Sequence, residues 1–331
     1  MTAAAERTAL DPALFRPEAI DPETAAFVAE LERTLAQLPP THTLPPEVTR
    51  QAREEGRGIW GPLQLVEEAR TMTIPGPGGD LPLRVFIPPE GARAVYLHIH
   101  GGGWVLGRAH HQDPRNWHLA RRLRAAVVSV DYRLAPEHPY PAAPDDCEAA
   151  ALWVLEHGKQ EFGADAFLIG GESAGAHLSV VTLLRLRDRH GYRGTAAANL
   201  VYGVYDLRLT PSAANWGERP LVLTTQTMRW FVDHFVPPER RTDPDVSPIF
   251  ADLSGMPPAL FTVGTLDPLL DDSLFMYARW IAAGNEAEIA VWPGGVHGFN
   301  AFPTPLGRRA NERIDAFLAA KLELALASGA S

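Results

Sequence analysis

From Thr71 onward, short apolar runs alternate with longer stretches in which apolar residues recur every three or four positions. The runs at 94–100, 125–131, 166–170, 199–205, 259–264 and 288–292 read as buried strands, and the short alternating run at 81–87 reads as an edge strand. Helical periodicity fills the gaps at 115–124, 143–157, 174–189, 272–283 and 306–327. This strand–helix alternation predicts an α/β fold, a mainly parallel sheet with helices on both faces. Two regions depart from it. Residues 1–70 are helical in character: Phe27, Leu31, Leu35 and Leu38 form one stripe, Pro39-Pro40 ends it, and a second helical pattern covers 47–56. Residues 207–247 contain one helical stretch, 225–235, between proline-rich flanks. The expected division is therefore 1–70, a core made of 71–206 and 248–331, and an insertion at 207–247. The insertion is expected to pack with the N-terminal helices over the C-terminal edge of the sheet, where open α/β folds bind ligands.

Composition narrows the classes of function. At 331 residues and 46% hydrophobic, the chain can bury a large core. Net charge is −10, and no basic tract with interleaved aromatics occurs, so nucleic acid and anionic membranes are poor partners. The single cysteine, Cys147, rules out an intrachain disulfide, fits a reducing compartment, and reads as a small packing residue. The first residues lack the apolar core of a signal peptide, and no apolar run approaches the ~18 residues of a membrane span. A soluble cytoplasmic protein is the simplest expectation.

Chemistry concentrates in two glycine-rich turns that each follow a strand. Gly171-Glu172-Ser173-Ala174-Gly175, a G-x-S-x-G sequence, lies between the run at 166–170 and a long helical pattern. That context is a nucleophile elbow, a sharp turn that holds a serine Oγ out at the sheet edge; by local sequence Ser173 could equally cap the helix. A serine needs a base to take its proton, and the base needs a third group to orient it. In folds with this elbow the partners follow in the order acid, then histidine. Asp267 follows the strand at 259–264, and His297 follows the strand at 288–292 within Pro293-Gly-Gly-Val-His-Gly-Phe299. Asp271 and Asp272 are fallback candidates for the acid, since an Asp267-Pro268 pair could merely start a turn. The second turn is His100-Gly101-Gly102-Gly103-Trp104, an H-G-G-G loop whose amides could receive an oxyanion together with that of Ala174. Phosphate-loop spacing is absent from it. No clustered His/Cys metal spacing is visible; His110-His111 and His98/His100 lack a surrounding ligand pattern.

Together these stretches resemble the hormone-sensitive-lipase-like family of α/β-hydrolases, the bacterial family IV carboxylesterases. The likeness covers about residues 70–325 and includes the block 131–142, Asp267-Pro-Leu-Leu-Asp271 and His297-Gly-Phe299. The resemblance implies an α/β-hydrolase fold, a cap made by 1–70 and 207–247, and oxyanion donors at Gly102, Gly103 and Ala174. It implies that Arg133, Glu137 and His138 shape the core near the site. One departure is Glu172, where the largest subgroup has Asp before the nucleophile. The activity implied is hydrolysis of short- to medium-chain acyl esters by Ser173, His297 and Asp267, with no metal or organic cofactor.

Trp104, Trp230 and Phe231 are candidates for the substrate pocket, with Trp216, Leu221 and Val222 as further cap residues. Amide or formamide hydrolysis and sugar deacetylation by the same triad stay open. So does a small-molecule receptor on this fold, although the receptors that resemble this family lack the catalytic histidine that is present here as His297. By analogy with relatives, a homodimer would use the last strand or a neighbouring helix, 288–292 or 306–327.

Overall fold

The computed structural model describes residues 10–328. The first nine residues, read above as lacking a signal-peptide core, and residues 329–331 lie outside the described residues.

The eight strands are β1 (Arg70–Gly76), β2 (Gly79–Phe86), β3 (Ala94–Ile99), β4 (Ala125–Val130), β5 (Phe167–Glu172), β6 (Thr195–Val201), β7 (Ala259–Leu266) and β8 (Ala287–Val296). They form one sheet in the order β1-β2-β4-β3-β5-β6-β7-β8. β2 runs antiparallel to β1 and β4, and every other pairing is parallel. The helices are α1 (Pro22–Leu35), α2 (Pro46–Glu54), α3 (Asp113–Leu123), α4 (Ala142–Phe162), α5 (Ala174–His190), α6 (Pro211–Asn215), α7 (Thr225–Phe235), α8 (Leu270–Ala282) and α9 (Pro305–Ser328).

The sheet is covered on both faces, as the unbroken apolar runs require. Because side chains alternate along a strand, β3 serves two cores. Val95, Leu97 and Ile99 pack with residues of α4, α5 and α8, whereas Ala94 and Tyr96 join α3 and α9 on the other face. Cys147 of α4 is fully buried in the first core, and burial pushes its thiol well above the ordinary range.

Two expectations need correction. The run at 81–87 is not the edge strand: β1 lies outside it, joined by a hairpin at Gly76 and Gly79. β1 has only Ile74 fully buried, so it carries almost no hydrophobic signal. The strand expected at 199–205 lies earlier, at β6, and ends where Tyr202 turns to a φ of +35°. Residues 207–247 hold α7, which matches the helical stretch read at 225–235, and a short further helix, α6, that was not expected; they contain no strand beyond the isolated bridge Leu221–Leu223.

Candidate active site

The elbow is built from close backbone approach. Gly171 pairs with Ile99 across β3 and β5, and Gly175 opens the first turn of α5. A Cβ on either glycine would overlap the Ile99 carbonyl oxygen. Ser173 between them takes φ +56° and ψ −120°, a strained conformation held by the hydrogen bond from its amide to the Val201 carbonyl at 2.8 Å.

His297 and Asp267 come to this serine from the ends of β8 and β7. His297 Nε2 is 3.0 Å from Ser173 Oγ, and His297 Nδ1 is 2.9 Å from Asp267 Oδ2. A carboxylate can only accept, so Nδ1–H donates to Asp267 and the Nε2 lone pair faces the serine hydroxyl. Asp267 is 1% exposed, and its other oxygen accepts from the Leu269 amide at 2.9 Å, which fixes the carboxylate. The tilted ring of Tyr202, 4.7 Å away, packs against His297.

The fallback acids are engaged elsewhere. Asp271 accepts from the Ser212 amide at 2.8 Å. Asp272 accepts from the Tyr205 and Asp206 amides at 2.6 and 3.0 Å and from Thr210 Oγ1 at 2.6 Å, and burial raises its pKa to about 7. Both carboxylates tie α8 to the start of the insertion.

The H-G-G-G loop leaves β3 beside the elbow. His100 is buried, stacks on Tyr132 at 4.2 Å, and is pushed down to about 3 by burial, so it is a neutral support. Tyr132 donates to the His100 carbonyl at 2.9 Å. Gly102 has φ +122°, and its carbonyl accepts from the Leu106 amide at 2.8 Å, which curls the loop. Among the described residues, the amides of Gly102 and Gly103 donate to no protein acceptor. Ala174 supplies the first amide of α5, one without an intrahelical partner.

Glu172, the departure noted above, is buried and its Oε2 lies 3.1 Å from His98 Nε2, whose Nδ1 meets Ser129 Oγ at 2.7 Å. Its longer side chain is thus held under the elbow and away from the triad geometry.

A cavity of about 1370 Å³ opens over Ser173. Its floor includes the glycine loop, Tyr202 and His297. The rest of its wall comes from residues 35–64, from the insertion, through Val222, Leu223, Met228 and Phe231, and from core residues such as Leu106, Arg108, Arg115, Phe302 and Arg308. The N-terminal helical part and the insertion are joined by Arg219, which donates to both oxygens of Glu32 in α1 at 3.0 Å, and by His42 Nδ1 at 3.1 Å from Thr227 Oγ1. Arg50 of α2 grips the body of the protein: it donates to the carbonyls of Val105 and Ala135 at 2.8 and 2.7 Å and to Glu137 at 2.8 and 2.9 Å.

Of the expected pocket residues, Phe231 lines the cavity. Trp104 borders it, but its indole is buried, stacked on Phe235 at 4.5 Å and donating to His177 Nδ1 at 3.1 Å. Trp230, Trp216 and Leu221 do not line it. Residues one apart on a helix point about 100° apart, so Trp230 faces away from Phe231's side and packs on His234. Arg133 is held by Asp146 at 2.8–3.1 Å, whereas Glu137 and His138 are exposed, so these two do not shape the core. The sequence reading missed Trp60, Phe302 and Tyr202 as cavity walls; Trp60 stacks on Phe302 at 5.1 Å. It also missed Glu54, whose two oxygens lie 3.0 Å from His110 Nε2 and 2.8 Å from His111 Nε2. These three bring ligand atoms within 4.8 Å of one another, the one such grouping among the described residues.

Comparison with known proteins bears on the fold and the family. Residues 96–301 match a family described as having the alpha/beta hydrolase fold. The chain is 35% identical over 268 residues to the carboxylic ester hydrolase LipN of Mycobacterium tuberculosis, covering 77% of this chain and 71% of that protein. It is 31% identical to the ethyl acetate hydrolase of Pseudomonas putida, covering 85% and 92%. Among solved structures, the hyperthermophilic esterase from the archaeon Pyrobaculum calidifontis superposes with a TM-score of 0.82 at 32% identity, covering 91% of this chain and 98% of that one. The chain belongs to the α/β-hydrolase superfamily, in its hormone-sensitive-lipase-like family of carboxylesterases.

Proposed function

We propose that this carboxylesterase hydrolyses short- to medium-chain acyl esters through an acyl-enzyme on Ser173. The observation that carries the reading is the continuous line from Asp267 Oδ2 through His297 to Ser173 Oγ, with links of 2.9 and 3.0 Å. Ser173 Oγ attacks the ester carbonyl as His297 Nε2 takes its proton. The imidazolium is stabilised by Asp267 and returns the proton to the leaving alcohol. The amides of Gly102, Gly103 and Ala174 receive the oxyanion. Water then attacks the acyl-enzyme by the same route in reverse, with His297 again as base and Ser173 as the leaving group.

In this reading the described residues of 1–70, together with 207–247, form the cap, since both supply cavity wall and are tied to each other by Arg219 and Glu32. A cavity walled by Val222, Leu223, Met228 and Phe231 supports an apolar acyl group. No helix among the described residues is long and apolar enough to cross a membrane. Homodimerisation through the edge strand β8 and α9 completes the proposal, and sedimentation of the purified chain tests it.

The test of substrate class is a p-nitrophenyl ester series from acetyl to palmitoyl, run beside the anilide of the preferred acyl group. Peak turnover at short to medium chains with weak anilide cleavage is expected. Anilide turnover equal to that of the ester would move the assignment to amide hydrolysis, and a palmitoyl optimum would refute the chain-length claim.

A further inference from the structure

Five arginines line the cavity, and four are accounted for by protein partners. Arg57 pairs with Glu55, Arg108 with Asp131 and Arg115 with Asp315, while Arg308 reaches the Pro303 carbonyl. Arg53 is the exception: among the described residues its guanidinium has neither an ion pair nor a hydrogen bond. The neighbouring carboxylate, Glu54, is committed to His110 and His111. Arg53 is half-buried and its Cζ lies 5.4 Å from the centre of the Trp60 ring. Trp60 in turn lies against Gly298, where a Cβ would sit 2.6 Å from the indole. Gly298 adjoins His297, so a short run of contacts leads from the guanidinium to the base of the triad. Burial holds the Arg53 pKa below the ordinary arginine value, opposed chiefly by the charge of Glu54, which makes no direct ion pair with it.

A half-buried cation without a partner is costly to hold beside an apolar wall, and a planar guanidinium offers paired donors that match a carboxylate. The acidic residues on the same wall do not answer it: Glu172 is bound to His98 under the elbow, and Glu218 stands on the insertion with the cap residues. The cavity is large enough to hold both an acyl group and a second substituent around Ser173. We infer that Arg53 forms an anion subsite in the cavity, and that the enzyme accepts esters carrying a free carboxylate, such as half-esters of dicarboxylic acids or acyl esters of hydroxy acids. This rests on the esterase reading of the same site.

The test compares monomethyl with dimethyl esters of the C4 to C8 dicarboxylic acids, and O-butyryl hydroxy acids with their methyl esters, in wild type, Arg53→Gln and Arg53→Lys. The quantity read is the ratio of kcat/KM for the charged substrate to that for its neutral partner. Wild type is expected to have its highest ratio in one of the two series, which reports the side of the ester that faces Arg53. Arg53→Gln is expected to lower that ratio by about tenfold or more, and Arg53→Lys to restore part of it. A purely structural role would change both substrates together and leave the ratio unmoved.

An independent reading is inhibition of p-nitrophenyl butyrate hydrolysis by free adipate in wild type, which should be competitive and should weaken as salt rises. Wild-type turnover of neutral esters with no use of charged ones and no adipate inhibition overturns the subsite and leaves the esterase standing. An equal ratio in wild type and Arg53→Gln overturns it as well. Failure of wild type on every ester, neutral and charged, refutes the esterase reading itself.

Discussion

The ring of Phe231 lies directly on Gly103, so that a Cβ at Gly103 would overlap the ring carbons. An insertion helix therefore touches the loop whose amides face the reacting carbonyl. Gly103→Ala should displace the loop or the ring, and φ of +58° at that position adds strain. We expect kcat to fall by roughly 10- to 100-fold, a fraction of the loss from removing an oxyanion donor. Phe231→Ala added to Gly103→Ala should recover part of that loss, a coupling that a double-mutant cycle measures. Additive effects would mean that the contact does not set the loop.

Arg50 ties the N-terminal helices to the body of the protein through two carbonyls and the exposed Glu137. Arg50→Ala should cost about 1–2 kcal/mol of stability in denaturant melts. It should raise KM more than it lowers kcat, because the helix it anchors walls the cavity and holds no triad residue. A change in kcat with KM untouched would contradict the assignment of this segment to the cap.

Two fully buried histidines make the fold acid-sensitive. His177 accepts from Trp104 Nε1 and donates from Nε2 to the Val246 carbonyl at 2.7 Å, and burial lowers it to about 4; His100 is lowered to about 3. Both folded-state values lie below the ordinary 6.5. Their contribution is thus present above pH 6.5 and is lost as pH falls toward the folded values. Each should remove about 2 kcal/mol between pH 8 and pH 5. Guanidinium melts of His177→Gln over that range should show a shallower pH dependence than wild type. Parallel curves would show that His177 does not titrate on unfolding.

The elements that carry chemistry were legible because they are locally over-determined. Ser173 stands between glycines that only a tight strand–turn–helix requires, and Asp267 and His297 each follow a mainly apolar strand-length run, interrupted only by Thr262 in the first and Glu288 in the second. What escaped has weak local signal. β1 exposes most of its residues, so the stretch from Thr71 to Gly76 carries no strand signal and is assigned no element. Trp60 and Arg53 reach the cavity from a short helix and an irregular segment whose position depends on tertiary contacts such as the Arg50 grip. Trp230 and Phe231 are adjacent in sequence, and only the docking of α7 decides which of them faces the cavity.

The most direct measurement is pre-steady-state hydrolysis of p-nitrophenyl butyrate by wild type and by Ser173→Ala, purified in parallel and matched for melting temperature. The account predicts a burst of one equivalent of p-nitrophenol from wild type if deacylation is the slower step. It also predicts a loss of roughly 10³-fold or more in kcat for the folded variant. A folded Ser173→Ala enzyme that retained wild-type turnover would contradict the assignment of Ser173 as nucleophile and, with it, the proposed mechanism.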